Sequence, residues 1–422
     1  MRFMDSLLSM PDGIATSTAQ LFDLFARPAI SSATIYQVFD IRTDIRPTVA
    51  EIDLGALRRN ADVLRSAVGS AKTGLLAVLK ADAYGHGAVA CARALEKKVW
   101  GFAVSLVEEG VELRRAGIEL PIVVLGCYYG LSHRDVVAYR LTPVIADVRD
   151  LTRFAHAADE LSAPRVGIHL KVDTGMSRLG VRSDRLDSFM NELQRHSGLY
   201  LSGLCTHLYD ADGEDSAPTE GQLRRLAGFV EQLQAHGVKP GVVHVANTAG
   251  AVRFAEARFD LVRAGIGLFG VAPTHTELAT LWPVMSLRTK IISLRELPPG
   301  ENVSYGGRTR VGRHSLCATL PVGYADGYTR RMSDSAYVLC GGQRCQVMAP
   351  ITMDMTMVDV TEVAGVKVGD EVILLGAQSG PSGHSDRITL SEMASWAGTI
   401  PWEVCSVVSK RVPRIYTGDG RT

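Results

Sequence analysis

The chain reads as an α/β protein, a (β/α)8 barrel followed by a second, mostly-β domain, and three observations predict this. Eight short apolar or β-branched runs alternate with amphipathic helical windows between residues 75 and 267. Polar residues collect at the C-terminal ends of those runs, the face on which such barrels build their sites. Beyond about Trp282 the pattern changes to short alternating strands with Gly and Pro turns.

The elements follow in order. Residues 1–46 carry scattered small polar residues without a sustained period and are expected to form an N-terminal extension ending at Arg46-Pro47. From Thr48 the stretch VAEIDLGALRRNADVLRSAV opens a helical period. The eight runs are LLAVLK (75–80), GFAVS (101–105), PIVVLG (121–126), TPVIAD (142–147), RVGIHLKVD (165–173), YLSGLCTH (200–207), VVHVAN (242–247) and FDLVRAGIG (259–267). Windows such as VEEGVELRRAG and TEGQLRRLAGFVEQLQAHG lie between them, each closing near a glycine as a helix C-terminus does. A doubly wound sheet has the same periodicity, because alternation does not report closure. The barrel is favoured because Lys80, Lys171, Asp173, His207, Asn247 and Arg263 all fall at or near C-terminal ends of different strands. In the second domain a helix is expected over Thr389–Trp396 and a final strand over EVCSVVSKRVPRIY. The expected domains are therefore 1–46, 47–284 (barrel) and 285–422 (β domain).

Composition narrows the function. Lys plus Arg and Asp plus Glu each number 45, so no global field would hold a nucleic-acid backbone or an anionic membrane. Seven cysteines form an odd set without framework spacing, which argues for reduced thiols in a cytoplasmic compartment. Cys340 and Cys345 lack a second Cys or His pair at zinc spacing and are expected to be sheet or turn thiols, with no metal site. No run reaches the roughly 18 apolar residues of a membrane span, and the N-terminus lacks the pattern of a secretory signal.

The chemistry centres on AVLKADAYGHG (77–87), where a buried-strand pattern ends on Lys80 and enters a turn with two glycines. Partial desolvation at a strand end lowers a lysine's pKa and frees the lone pair that forms a Schiff base with an aldehyde. The eighth run leads into AGIGLFG, whose backbone N–H groups can face an anion without a crowding side chain. Gly265, Gly267 and Gly270 also spell GxGxxG, but no acidic residue lies about 20 positions on to hold a ribose, so a phosphate loop is the better reading.

The ordered set of AVLKADAYGHG, DTGMSRLG, Thr206-His207, HVANTAG, RAGIGLFG, GYADGY, MDMT and SKRVPRIY resembles the alanine racemase family of pyridoxal 5'-phosphate enzymes, over about residues 47–417. The resemblance implies a TIM-like barrel in which Lys80 binds the cofactor aldehyde and acts as one base. It makes Tyr84, Thr248 after Asn247, and the backbone of Gly265 and Ile266 the phosphate ligands, and Arg263 the partner of the pyridine nitrogen. Arg178 is directed to the phenolic oxygen and the substrate, Lys171 is a candidate for carbamylation, and His207 packs on the cofactor ring. The second base implied is Tyr324, in PVGYADGYTR, with Met353 near the substrate carboxylate.

Two departures stand out. Family members commonly carry an arginine two or three residues before the methionine and a cysteine directly before it, where this chain has Ala349-Pro350-Ile351-Thr352. Trp402 replaces a tyrosine that helps hold the phosphate; its indole N–H can still donate, with a larger ring. Tyr324, Met353 and Trp402 are expected to line a narrow entrance together, admitting alanine first and serine second.

The implied activity is racemisation of L- and D-alanine, supplying D-alanine for cell-wall precursors, in a homodimer whose subunits share active sites. A racemase of broader specificity, a decarboxylase of related barrel architecture and a non-enzymatic pyridoxal-phosphate-binding barrel are the alternatives. Arg263 argues against the decarboxylase, and the β domain with Tyr324 against the carrier.

Overall fold

The computed structural model describes residues 46–418 apart from 71, 127, 277, 279 and 280. The expected extension, except Arg46, lies outside the described residues, as does Cys127.

Strand β1 (Val49–Asp53) precedes eight parallel strands: β2 (Gly74–Val78), β3 (Gly101–Val104), β4 (Ile122–Val124), β5 (Thr142–Ile145), β6 (Val166–Lys171), β7 (Leu199–Cys205), β8 (Val242–His244) and β9 (Leu261–Ala264). Each lies within one of the eight expected runs, apart from a residue of overhang at the start of β2 and of β7. The sheet closes because β9 pairs with β8 and also with β2, in a register that sets Gly74 opposite Leu261 and Ala77 opposite Ala264. Closure decides for the barrel over the doubly wound sheet. Leu75, Leu76, Ala77 and Val78 are all buried, as a strand covered on both faces must be, which is why the run shows no alternation.

The reading of a helix from Thr48 is corrected at its start. Val49–Asp53 is a strand, and the helix spans Leu54–Val68. Asp53 caps that helix by accepting the Ala56 N–H at 2.8 Å, and Gly69 ends it at φ 67°. Tertiary pairing overrides the local period here. β1 runs antiparallel to β10 (Met285–Lys290) and parallel to the last strand, Arg414–Thr417, inside the sheet of the β domain.

That sheet has ten strands. Cys340 and Cys345 sit in the paired strands Tyr337–Cys340 and Gln343–Met348, joined by Gly341-Gly342 at φ 58° and 80°, the glycine-demanding hairpin turn. Both thiols are buried. The expected helix spans Leu390–Ala397, with Thr389 and Glu392 forming a capping box. The expected final strand is also corrected. Pro401 opens a short helix over Pro401–Ser406, its fixed φ suiting the first helical position, and only Arg414–Thr417 pairs as strand. Among the described residues no helix is long and apolar enough to cross a membrane.

Candidate active site

The C-terminal end of the barrel holds a cavity of about 450 Å³ lined by Lys80, Tyr84, Lys171, Arg178, His207, Asn247, Thr248, Arg263, Gly265, Ile266 and Trp402. Every barrel residue singled out in the sequence for cofactor work meets there. A neighbouring groove of about 670 Å³ shares Lys171 but contains neither Lys80 nor Arg263, so the smaller cavity is the one that gathers the expected residues.

Lys80 follows β2 after one residue, Leu79, and the backbone after it is unusual. Ala81, Asp82, Ala83 and Tyr84 have φ of 53–54° and ψ of 41–50°, one turn of left-handed helix built from residues with side chains. At about 1–2 kcal/mol each, that turn costs roughly 4–8 kcal/mol. Its amides and carbonyls are held in compensation. The Ala83 N–H donates to the Leu79 carbonyl at 2.8 Å, the Gly87 N–H to the Asp82 carbonyl at 2.9 Å, and the Ala88 N–H to Asp82 Oδ1 at 2.7 Å. His86 Nδ1 faces the Ala83 and Tyr84 carbonyls at 2.9 and 3.0 Å and therefore carries the proton. The Ala81 N–H donates to Glu109 Oε1 at 2.6 Å. The two glycines of the motif allow close approach: a Cβ at Gly85 would stand 2.3 Å from the Cys405 carbonyl oxygen, and one at Gly87 1.9 Å from Tyr416 Oη. Desolvation by burial, then the Arg178 guanidinium, lower the Lys80 pKa, with Glu109 opposing them.

Arg263 lies on β9, beside β2, and is 5% exposed. Nη1 donates to His244 Nδ1 at 2.9 Å and to the His244 carbonyl at 2.7 Å. Nη2 reaches the Thr206 and Val245 carbonyls and His207 Nδ1 at 2.7, 2.8 and 3.0 Å. A guanidinium has no lone pair to accept with, so both imidazoles must accept at Nδ1 and carry their proton on Nε2. His244 Nε2–H then donates to His169 Nδ1, 2.9 Å away. The histidines are held neutral: burial pushes His169 down to about 4, and burial, then Arg263, push His207 down to about 2. Among the described residues no partner takes the Arg263 Nε–H, which leaves a donor on a buried, cavity-lining cation.

The end of the cavity formed by Tyr84, Thr248 and Gly265 fits an anion. A Cβ at Gly265 would stand 2.9 Å from Tyr84 Oη, so only a glycine leaves that hydroxyl room. The Gly265 N–H donates to Thr248 Oγ1 at 3.1 Å, and the Ile266–Phe269 turn begins next, its leading amides without partners inside the turn. Burial raises the Tyr84 pKa, which keeps the phenol a donor. Asn247 N-caps the helix Thr248–Arg253 by accepting the Gly250 N–H at 2.9 Å. Asp173 shapes its turn by accepting the Gly175 and Ser177 amides.

One chain alone does not form the expected common entrance. Trp402 lines the cavity, but Tyr324 and Met353 do not; within one chain they stand elsewhere, 40% and 52% exposed. They are neighbours of each other, because the Tyr324 and Ala325 amides donate to the Thr352 and Met353 carbonyls at 3.0 Å. Asp326, 2% exposed, fixes this turn by accepting the Gly323 N–H at 3.0 Å and a bidentate pair of bonds from Arg46 at 2.8 and 2.6 Å.

Sequence reading missed Glu109, His169, His244 and Tyr305. Tyr305 is 72% exposed on a turn where Ser304 has φ 62° and Gly306 and Gly307 are also left-handed, and the Ser304 hydroxyl donates to the Pro350 carbonyl. The signal was the Gly306-Gly307 pair in SYGG; for the two histidines it was their placement on strands entering the site.

The chain is similar to known proteins over nearly all of its described residues. Residues 52–273 match the family model for the alanine racemase N-terminal domain, and 284–416 the model for its C-terminal domain. The alanine racemase of Sorangium cellulosum is 43% identical over 377 residues, 88% of this chain and 99% of that protein, and that of Geobacter sulfurreducens is 39% identical over 379 residues, 88% and 98%. The solved alanine racemase of Clostridium difficile superposes with a TM-score of 0.82 at 34% identity, covering 88% of this chain and 96% of that one. The Bacillus anthracis alanine racemase with bound L-Ala-P gives 0.81 at 31%, covering 88% and 96%.

Proposed function

Because the chain belongs to the alanine racemase family, we propose that it interconverts L- and D-alanine with pyridoxal 5'-phosphate as cofactor. The observation that carries this reading is the pairing in one cavity of the Lys80 amine with the buried Arg263, beside an anion cradle of Tyr84, Thr248, Gly265 and Ile266. The bound cofactor supplies an aldehyde and a conjugated ring that withdraws electrons from the substrate α-carbon. Lys80, its pKa lowered, removes or returns the α-proton on one face. Arg263 directs a hydrogen bond rather than a transferable proton at the ring nitrogen, which keeps charge on the α-carbon and favours reprotonation. Arg178 holds the phenolic oxygen and the substrate carboxylate, His207 supports the ring, and Lys171, if carbamylated, would present an anion to Arg178.

The opposite face needs a second proton carrier, and a phenol of a second copy's β domain supplies it in a homodimer with shared sites. The exposed Tyr305, Tyr324, Met353 and Met355 support this, being large apolar groups without cover in one chain. Tyr324 is the base expected from the motif. Tyr305 has the stronger structural claim, because backbone strain persists where function over-determines it and Tyr305 sits on the strained turn. The D-alanine formed would serve cell-wall precursor synthesis.

Purified protein with pyridoxal phosphate should convert either enantiomer of alanine toward the racemate by chiral chromatography, with serine slower. Equal kcat/KM for lysine and alanine would instead establish a broad-specificity racemase. Cofactor binding without turnover of any amino acid would leave a carrier.

A further inference from the structure

We propose that Glu109 is the positioning residue for Lys80, its carboxylate pinning the left-handed turn that begins at Ala81, directly after the residue that bears the amine; this rests on the assignment of Lys80 to the cofactor aldehyde. Glu109 belongs to the helix Val107–Arg115 that follows β3, a different βα unit from Lys80. Its two oxygens face two ways. Oε2 accepts the Ser105 and Leu106 amides at 2.8 and 3.0 Å, closing the helix N-terminus, and Oε1 accepts the Ala81 amide at 2.6 Å. A helix cap alone needs the first pair. The third bond crosses to the residue after Lys80, where four successive residues hold a conformation that side chains disfavour.

An ionised carboxylate can accept at both oxygens, whereas an amide has one acceptor and turns N–H groups toward the other donor. Glutamine at 109 can therefore cap the helix or hold Ala81, not both. Aspartate keeps the charge but is one methylene too short to span both groups.

Glu109 is also the anion that opposes Arg178 and Arg263 at the Lys80 amine. Lys171, His207, Tyr84, Cys205 and Asp212 complete the ionisable groups lining that cavity. Removing the Glu109 charge lowers the Lys80 pKa further, which raises the neutral amine fraction at pH 7. Loss of aim has the opposite effect on rate. The two roles thus separate in a pH profile.

The test uses full-length, cofactor-stripped protein and measures the second-order rate of pyridoxal 5'-phosphate capture from pH 6 to 10 by absorbance, for the parent, Glu109→Gln, Glu109→Asp and Glu108→Gln. Glu108 lies on the same helical turn and is exposed. For Glu109→Gln the high-pH plateau, where the amine is neutral, should fall at least about 10-fold while the midpoint moves down by about half a pH unit or more. Glu109→Asp should lose plateau with a smaller midpoint change, and Glu108→Gln should match the parent. A Glu109→Gln plateau within twofold of the parent overturns the proposal. So does a fallen plateau with an unmoved midpoint and a lowered melting temperature, the pattern of fold loss alone. Failure of the parent to capture the cofactor at Lys80 refutes the underlying assignment instead.

Discussion

Replacing Arg46 with methionine should destabilise the protein by about 2–3 kcal/mol, and the figure follows from the surroundings of Asp326. The Asp326 side chain is 1% exposed and that of Arg46 23%. Two short bonds join them, and Arg46 Nη2 also donates to the Pro321 carbonyl at 2.8 Å. Methionine keeps the apolar stem but leaves the buried carboxylate with the Gly323 amide at 3.0 Å and the Arg411 guanidinium at 3.6 Å. Breaking a fully buried pair costs about 3–5 kcal/mol, and the nearness of Arg411 reduces that. Asp326→Asn should cost less, about 1–2 kcal/mol, because the half-open Arg46 can rehydrate. The double variant should then recover about 1–2 kcal/mol relative to the sum of the singles. Thermal unfolding followed by circular dichroism, with cofactor bound and with it stripped, should show Arg46→Met melting ~2–5 °C lower. A shift below 1 °C, or singles that simply add, would refute the argument that Arg46 neutralises Asp326.

Four further outcomes follow. His86 and His169 are each pushed down to about 4 by burial, and His207 and His244 are also lowered, so all four take up protons on unfolding below the ordinary histidine range. A depressed folded pKa gives stability that is present above pH 6.5 and lost as pH falls toward 4; unfolding free energies from urea titrations should drop across that window by up to about 1.4 kcal/mol per pH unit for each histidine, and a flat profile would refute their burial as neutral groups. Borohydride reduction of the holoenzyme should fix the cofactor to the peptide containing Lys80, and Lys80→Ala should abolish the labelling. Tyr305→Phe should slow racemisation at least about 100-fold with cofactor binding intact, and Tyr324→Phe should slow it less; the reverse order returns the base to Tyr324. Gly85→Ala should cost about 2 kcal/mol or more, read as reduced soluble yield and melting temperature, because the new Cβ would stand 2.3 Å from a carbonyl oxygen at φ 80°.

The barrel was legible because its strands are buried on both faces and its helices on one, so composition switches with each element. The ends of the chain were less so. Val49–Asp53 has the apolar spacing of either structure, and its strand conformation depends on partners more than 200 residues away in sequence, which no local window contains. The Lys80 motif announced a lysine, a turn and two glycines, but the left-handed run through Ala81–Tyr84 falls on residues that ordinarily avoid it. Glu109 looked like one more acidic residue in a first helical turn. Its second oxygen acquires meaning when β2 and β3 stand side by side. Tyr305 drew no notice in the sequence, although it sits beside glycines as Tyr324 does; what marks its turn is the left-handed Ser304 before it, which no local pattern announces.

The sheet that gathers β1, β10 and the last strand ties the order of synthesis to the order of assembly. β1 is among the first of the described segments to leave the ribosome, yet its neighbour at Arg414–Thr417 is among the last. Throughout elongation β1 has an edge that nothing yet made can cover, and a message cut short anywhere in the β domain yields a chain carrying that bare edge permanently. Prematurely terminated copies should therefore be sticky rather than merely inactive, and a cell making this protein gains from quick completion of the final turn and strand.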